Sequence, residues 1–198
     1  MARGLRRLGA IANVLPLSGE VATMAATTLL SDGAGLPPDV RFALEALARV
    51  VERHSSDFRA SVLLLSEDGR HILDCAGPHL PVEYRNAIHN LEIGEGRGSC
   101  GTAAYRNERV IVSDIATDPL WENYRDVALA HGLAACWSEP IRSSEGKVLG
   151  TFALYYDEPR KPTETDLNVI EAAALRAAAM IERAGTGASA EDLIRDLN

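Results

Sequence analysis

Apolar positions recur along this chain in two distinct periods. Behind Asp39, Val40, Ala43 or Leu44, Leu47 and Val50 or Val51 follow at helical spacing up to His54. That spacing predicts a helix with Asp39 as its N-cap. Residues 60–65, Ala-Ser-Val-Leu-Leu-Leu, form an apolar strand that stops at Ser66-Glu67-Asp68-Gly69. Asp-Gly is a hairpin signal, and the returning strand runs from Arg70 to Ala76. A turn at Gly77-Pro78 precedes a helix from Pro81 to Asn90, with Pro81 in its first turn. Next come a short helix over 99–106, a strand over 109–114, and a helix over 119–130 presenting Leu120, Tyr124, Val127 and Leu129. His131-Gly132 stops that helix. Strands over 133–141 and 148–156 flank a turn at Ser143 to Gly146. Thr163 and Asp166 match a capping box for a long helix that runs to about Arg183. Gly185 and Gly187 end it, and Ser189 with Asp192 can start a last short helix. Upstream, residues 3–15 and 20–30 read as short helices, and 31–38 as a Gly- and Pro-containing linker.

Two long helices flanking hairpin-connected strands favour α+β over a parallel α/β sheet. Side chains alternate across a strand, so Ala134, Cys136 and Ser138 share one face of 133–141 and Ala135 and Trp137 the other. Placing Trp137 against the long helices leaves Cys136 and Ser138 toward a pocket; the pattern itself does not choose the face. In the last helix Leu167, Ile170, Ala174, Ala177 and Ile181 follow a 3-4-3-4 spacing. That seam fits packing on the domain's own sheet or a parallel homodimer built on the two long helices.

Composition narrows the class. A chain of 198 residues can bury a real core in one domain with extensions. A formal net charge of −8 disfavours nucleic acid as a partner. Arg3, Arg6 and Arg7 form a basic cluster best read as a solvated end. The residues after it, Gly9 to Leu15, resemble a weak signal peptide, but Asn13, Pro16, Ser18 and Glu20 interrupt the run. No stretch reaches the ~18 apolar residues of a membrane span. The three cysteines, Cys75, Cys100 and Cys136, form no C-x-x-C pair, so a zinc site is not expected. An odd cysteine count in an acidic chain suits a reducing cytoplasm.

The densest chemistry lies in Gly94-Glu95-Gly96-Arg97-Gly98-Ser99-Cys100-Gly101-Thr102. Glycines before a helix can offer N–H groups to an anion. A phosphate-loop Lys is absent and no Rossmann fingerprint follows a strand, which favours a tight turn over a nucleotide cradle. Cys100 sits near the start of the predicted helix. There the helix dipole and Arg97 would lower its thiol pKa; the plainer reading is a small buried hydrophobe. Asp114, Asp118, Trp121, Tyr124 and Arg125 cluster in the following loop and helix, either around a small ligand or closing the core. His79, His89 and His131 stand singly, as solvated or capping residues do.

In this order, Gly-x-Gly-Ser-Cys-Gly-Thr-Ala-Ala, Val110-Ile111-Val112-Ser113-Asp114, Asp118-Pro119-Leu120-Trp121 and Cys136-Trp137-Ser138-Glu139-Pro140-Ile141 resemble a GAF domain. They are most similar to the GAF domains of bacterial sensors that feed histidine kinases or cyclic-di-GMP enzymes. The resemblance covers about 39–184, leaving 1–38 as an N-terminal extension and 185–198 as a short tail. It implies a profilin-like antiparallel sheet with helices on both faces and a small-molecule pocket bordered by the glycine loop. It also implies a sensory module of bacterial signal transduction, binding a small ligand or responding to redox, rather than an enzyme, acting as a homodimer on a downstream signalling protein. The residues placed at the pocket are Cys100, Thr102, Asp114, Trp121, Tyr124, Cys136 and Ser138. The ligand and any cofactor stay unknown.

Three variants of the resemblance differ. Free methionine sulfoxide reductases are GAF domains with a Cys where Cys100 stands, but they place a second Cys in an Ile-Ala-Cys-Asp word upstream of the Ser-Glu strand. Here Trp121 to His131 occupies that region and Cys136 falls inside the strand. Cyclic-nucleotide-binding members carry an Asn-Lys word upstream of Asp-Glu, and Asp157-Glu158 has no such partner. Bilin attachment uses Cys-His, and no cysteine here precedes a His, so no intrinsic chromophore is expected. A dimerisation scaffold without ligand is the third reading.

Overall fold

The computed structural model describes residues 38–55 and 57–197. The expected helices over 3–15 and 20–30, and the linker before Pro38, lie outside the described residues. Helix α1 spans Pro38–Glu52, strand β1 Phe58–Leu65, and β2 Ile72–Ala76. Helix α2 spans Val82–Ile88, α3 Gly98–Arg106, and β3 Val110–Val112. A 3-10 turn, Pro119–Trp121, and helix α4, Arg125–Ala130, follow. Strands β4, Ala135–Arg142, and β5, Val148–Tyr156, lead into α5, Glu164–Gly185, and α6, Ala190–Ile194. A 3-10 turn over Arg195–Leu197 ends the described chain.

All strand pairs are antiparallel, in the order β2-β1-β5-β4-β3. This is the expected α+β arrangement, with a core on each face of the sheet. On one face α1, α5 and α6 bury Leu44, Leu47, Ile170, Ala177 and Leu193 against Val62, Trp137, Phe152 and Tyr156. On the other, α2, α3, α4 and the Pro119 turn bury Tyr84, Ala103, Trp121 and Ala128 against Leu63, Cys136, Ala153 and Tyr155. Strand alternation thus sends Trp137 to the long helices, where it lies 4.3 Å from the Tyr156 ring, and Cys136 to the opposite face. The β1–β5 pair closes tightly at Gly150, where an added Cβ would stand 2.1 Å from the Leu63 carbonyl oxygen. No other residue fits that approach without displacing a strand.

Several local expectations change. Helix α1 begins at Pro38, so Asp39 lies in its first turn rather than capping it. The predicted 119–130 helix is interrupted. Asp118 accepts a hydrogen bond from Leu120 N at 2.9 Å and folds Pro119–Trp121 into a 3-10 turn, and Tyr124 then caps a separate, six-residue helix. The interruption lets Trp121 turn into the core. Of the two readings of the α5 seam, packing on the domain's own sheet is the one the structure shows. Ile170, Ala174, Ala177 and Ile181 are buried inside the protomer against its own sheet and α1, so they cannot meet a partner helix. The capping boxes at Thr163 and Ser189 form as the sequence predicts. Among the described residues no helix is long and apolar enough to cross a membrane.

Candidate functional site

The glycine-rich segment is a tight turn into a helix. Gly96 and Gly98 adopt positive φ, at 70° and 63°, which glycine enters without strain. Gly101 lacks a side chain because its Cβ would lie 2.7 Å from Arg97 Cβ. With those conformations set, α3 lays its first turn on the sheet. Ser99 is the pin. Its buried hydroxyl donates to the Cys136 carbonyl at 2.9 Å and accepts from Trp121 Nε1 at 3.0 Å. One side chain therefore fixes helix, strand and loop together.

A narrow cavity opens beside this pin, with room inside for about 30 Å³. Leu63 and Tyr155 form its floor, and Tyr84, Ile88 and Leu91 one wall. Gly98 to Gly101 form the opposite wall, with Trp121 and Tyr124 over it and Arg97 and Glu92 at the mouth. Tyr84 meets Tyr155 edge-on with ring centroids 5.8 Å apart, which holds two aromatic walls in place. The cavity's apolar, aromatic lining with a few polar groups is of the kind small-ligand sites use, and a ligand larger than a water or two must part the walls to enter.

Cys100 lines the cavity and is 6% exposed. Its sulfur lies 3.3 Å from the Tyr155 hydroxyl. Its pKa is lowered from the usual thiol range to about 7, chiefly by hydrogen bonding from the Cys136 thiol, with Tyr155, Ser138 and Thr151 adding to it against the effect of burial. The Ser138 and Thr151 hydroxyls are buried without a hydrogen-bond partner. Burial pushes the Cys136 thiol up, and the negative charge on Cys100 pushes it further the same way. Burial likewise raises the Tyr155 hydroxyl. The pair is therefore asymmetric: one thiol disposed to ionise, one held neutral behind it.

Arg97 takes a different part from the one expected. Its guanidinium donates to the Tyr124 hydroxyl at 2.9 Å across the cavity mouth, and it does not act on the thiol. Thiol and hydroxyl donors acidify Cys100 instead. Of the residues the sequence singled out, Cys100, Trp121 and Tyr124 line the cavity. Cys136 and Ser138 lie buried beneath Cys100 without lining it. Thr102 accepts from Arg97 N at 3.3 Å under the glycine turn. Asp114 braces its own loop by accepting from Ala116 N and the Thr117 hydroxyl at 2.9 and 3.0 Å. Arg125 clamps that loop through the Ile115 and Asp118 carbonyls, each at 3.2 Å. Sequence reasoning missed Tyr84 and Tyr155. The alternation of β5 places Tyr155 opposite Tyr156, which was a legible signal; nothing local distinguished Tyr84.

The histidines stay apart. His79 pairs with Glu52, and His131 Nδ1 bonds the Val127 carbonyl at 2.7 Å. Among the described residues no group of three His, Cys, Asp or Glu side chains is placed to hold a metal ion.

Comparison with known proteins agrees with this architecture. A methyl sulfide methyltransferase-associated sensor of Methanosarcina acetivorans is 39% identical over 136 residues, covering 69% of this chain and 14% of that protein. A domain assigned to a two-component sensor histidine kinase of Sinorhizobium meliloti 1021 superposes with a TM-score of 0.58 at 21% identity, over 71% of this chain and 88% of that one. A free methionine-R-sulfoxide reductase of Neisseria meningitidis, solved with its substrate, gives 0.57 at 18% identity, over 85% and 90%. At such identities the two structures share the fold alone. The GAF domain family model matches residues 39–182, and the chain belongs to that family.

Proposed function

We propose that this chain is a sensory module of a signal-transduction protein, whose cavity beside α3 takes a small, largely apolar ligand. The observation that carries the reading is the cavity itself. Its walls are apolar and aromatic, its polar groups are few, and it is bounded by three elements that Ser99 locks together. A ligand seated there touches α3, the Trp121 turn and the sheet at once, so occupancy changes how firmly they are held. Residues 39–184 carry the sensory domain, with 1–38 as an extension and 185–198 as a tail whose helix α6 packs Leu193 back on the same core. The module works in the cytoplasm, without nucleic acid, and passes its state to a downstream signalling protein.

Trp121 is at the cavity and Trp137 on the far face of the sheet. In a Trp137→Phe variant, fluorescence therefore reports the cavity. A screen of small apolar compounds should find saturable changes in that emission with matching thermal stabilisation. A screen of broad chemistry that moves neither emission nor Tm would count against the reading.

The module acts as a homodimer, on a surface other than the buried seam. Ala172, Leu175 and Ala179 form an outward stripe on α5, and Leu175 is 66% exposed. On α1, Phe42 is 58% exposed. Leu175→Glu should leave the fold intact and yield monomer in sedimentation; a wild type already monomeric at micromolar concentration would oppose this.

The module does no chemistry in this reading. The acidified Cys100 supports one rival, a thiol-dependent reductase of free methionine sulfoxide. Sustained turnover with a thiol donor, lost in Cys100→Ser, would favour that rival. Absence of turnover favours the sensor.

A further inference from the structure

The floor of the cavity holds an arrangement that ligand binding alone does not use. Cys100 and Cys136 come from different layers, one from the first turn of α3 and the other from β4. Residue 99, next to Cys100, is bonded to the Cys136 carbonyl at 2.9 Å, which brings the two backbones together. Both side chains belong to the same buried core, and both lie against Tyr155, whose hydroxyl is 3.3 Å from the Cys100 sulfur and whose strand position pairs with Cys136. Cys100 reaches the cavity, whereas Cys136 is wholly buried behind it. Both are free thiols in this structure. A small oxidant entering by the cavity would therefore meet the sulfurs in a fixed order.

We propose that Cys100 and Cys136 are a peroxide-oxidisable dithiol that closes into a disulfide between α3 and β4. The oxidant class is a small hydroperoxide, with hydrogen peroxide the simplest. The Cys100 thiolate attacks one peroxide oxygen, the O–O bond breaks, and Cys100 becomes a sulfenic acid as hydroxide leaves. Cys136 gives its proton to that hydroxide, forming water. Its sulfur then attacks the Cys100 sulfur, the S–O bond breaks, and the leaving hydroxide takes a proton from solvent. The net change is two thiols and one peroxide to one disulfide and two waters. Two electrons pass from the sulfurs to the peroxide. Ionisation near neutral pH gives the first step its nucleophile, because the thiolate is the reactive form. The Tyr155 hydroxyl, 3.3 Å from that sulfur, can donate to it and stabilise its charge.

The closed disulfide would put a covalent tie between α3 and β4 at the cavity wall. Redox state and ligand occupancy would then act on the same helix. The inference rests on reading the cavity as the sensory site, since the oxidant enters there. Its test is run on ligand-free protein and reads sulfur chemistry alone, so it can fail while ligand binding stands, and the reverse.

The experiment uses the full chain carrying Cys75→Ser, reduced and then treated with a modest excess of hydrogen peroxide at pH 7. Alkylation and intact-mass analysis follow. The expected result is loss of two hydrogens, protection of both remaining cysteines from alkylation, a cross-link between the peptides that carry them, and full reversal by a dithiol reductant. Cys136→Ser, with Cys136→Ala as a second variant should the first fold poorly, should stop at a Cys100 sulfenic acid that dimedone traps. Tyr155→Phe should slow oxidation at pH 7 several-fold. Unchanged alkylation of both cysteines after peroxide would overturn the proposal. So would a stable sulfenic acid with Cys136 present, or a disulfide formed only between two copies.

Discussion

Ser99→Ala tests the account of how the cavity is built. The serine hydroxyl donates to the Cys136 carbonyl at 2.9 Å and accepts from Trp121 Nε1 at 3.0 Å, with no exposure to solvent. Alanine fits the space but removes both bonds. The Cys136 carbonyl loses one net bond, about 1 kcal/mol. The indole N–H is left buried without a partner, which costs about 1–3 kcal/mol. The sum is roughly 2–4 kcal/mol, or a fall in Tm of about 4–16 °C for a chain of this size. Denaturant unfolding should show the midpoint moving with little change in slope. The informative variant is Trp121→Phe, which removes the donor. Combined with Ser99→Ala, it should destabilise less than the two single changes added, by about 1 kcal/mol or more, because the orphaned N–H is gone. A Ser99→Ala effect within about 0.5 kcal/mol of wild type, or strict additivity in the cycle, would refute the claim that Ser99 pins helix, loop and sheet together.

Gly150→Ala should abolish or severely weaken folding, by about 3 kcal/mol or more, since its Cβ would stand 2.1 Å from the Leu63 carbonyl oxygen; circular dichroism and thermal melts check this. Cys100 should be alkylated faster than Cys136 at neutral pH. With the Cys100 pKa lowered to about 7, its thiolate fraction, and hence its rate, should rise from pH 6 to 8 and level off above, in contrast to an ordinary thiol still rising at pH 9; a rate profile from timed alkylation and mass analysis reads it.

Much of the fold was legible because local signals and tertiary demands agree. The run Val148 to Tyr156 is a strand in both readings, since apolar side chains on both faces suit a central strand covered by helices on each side. Thr163 and Asp166 form the predicted capping box because that pattern needs no partner beyond its own turn. Where the readings part, a tertiary contact decides. The 119–130 segment has helical spacing, but Trp121 must turn inward to reach Ser99, and the Asp118 turn makes room for it. The α5 seam has dimer spacing, yet the same residues are needed to cover Trp137 and Phe152. Periodicity records that a face is buried, not against what. The candidate site divides in the same way. Cys100, Trp121 and Tyr124 carry motif or loop signals and line the cavity, whereas Tyr84 arrives from a distant helix. The source of Cys100 acidity was hidden too. Arg97 is its neighbour in sequence, but Cys136, Tyr155, Ser138 and Thr151 are its neighbours in space.

The central claim is that the cavity beside α3 holds a small ligand. Native mass spectrometry of protein gently purified from its own host tests it most directly, comparing wild type with Leu91→Trp, which places an indole where the cavity wall now stands. The account predicts a retained small molecule on the wild type, released on unfolding, and none on the filled variant. A bare polypeptide mass for both proteins, or the same molecule retained equally by both, would contradict it.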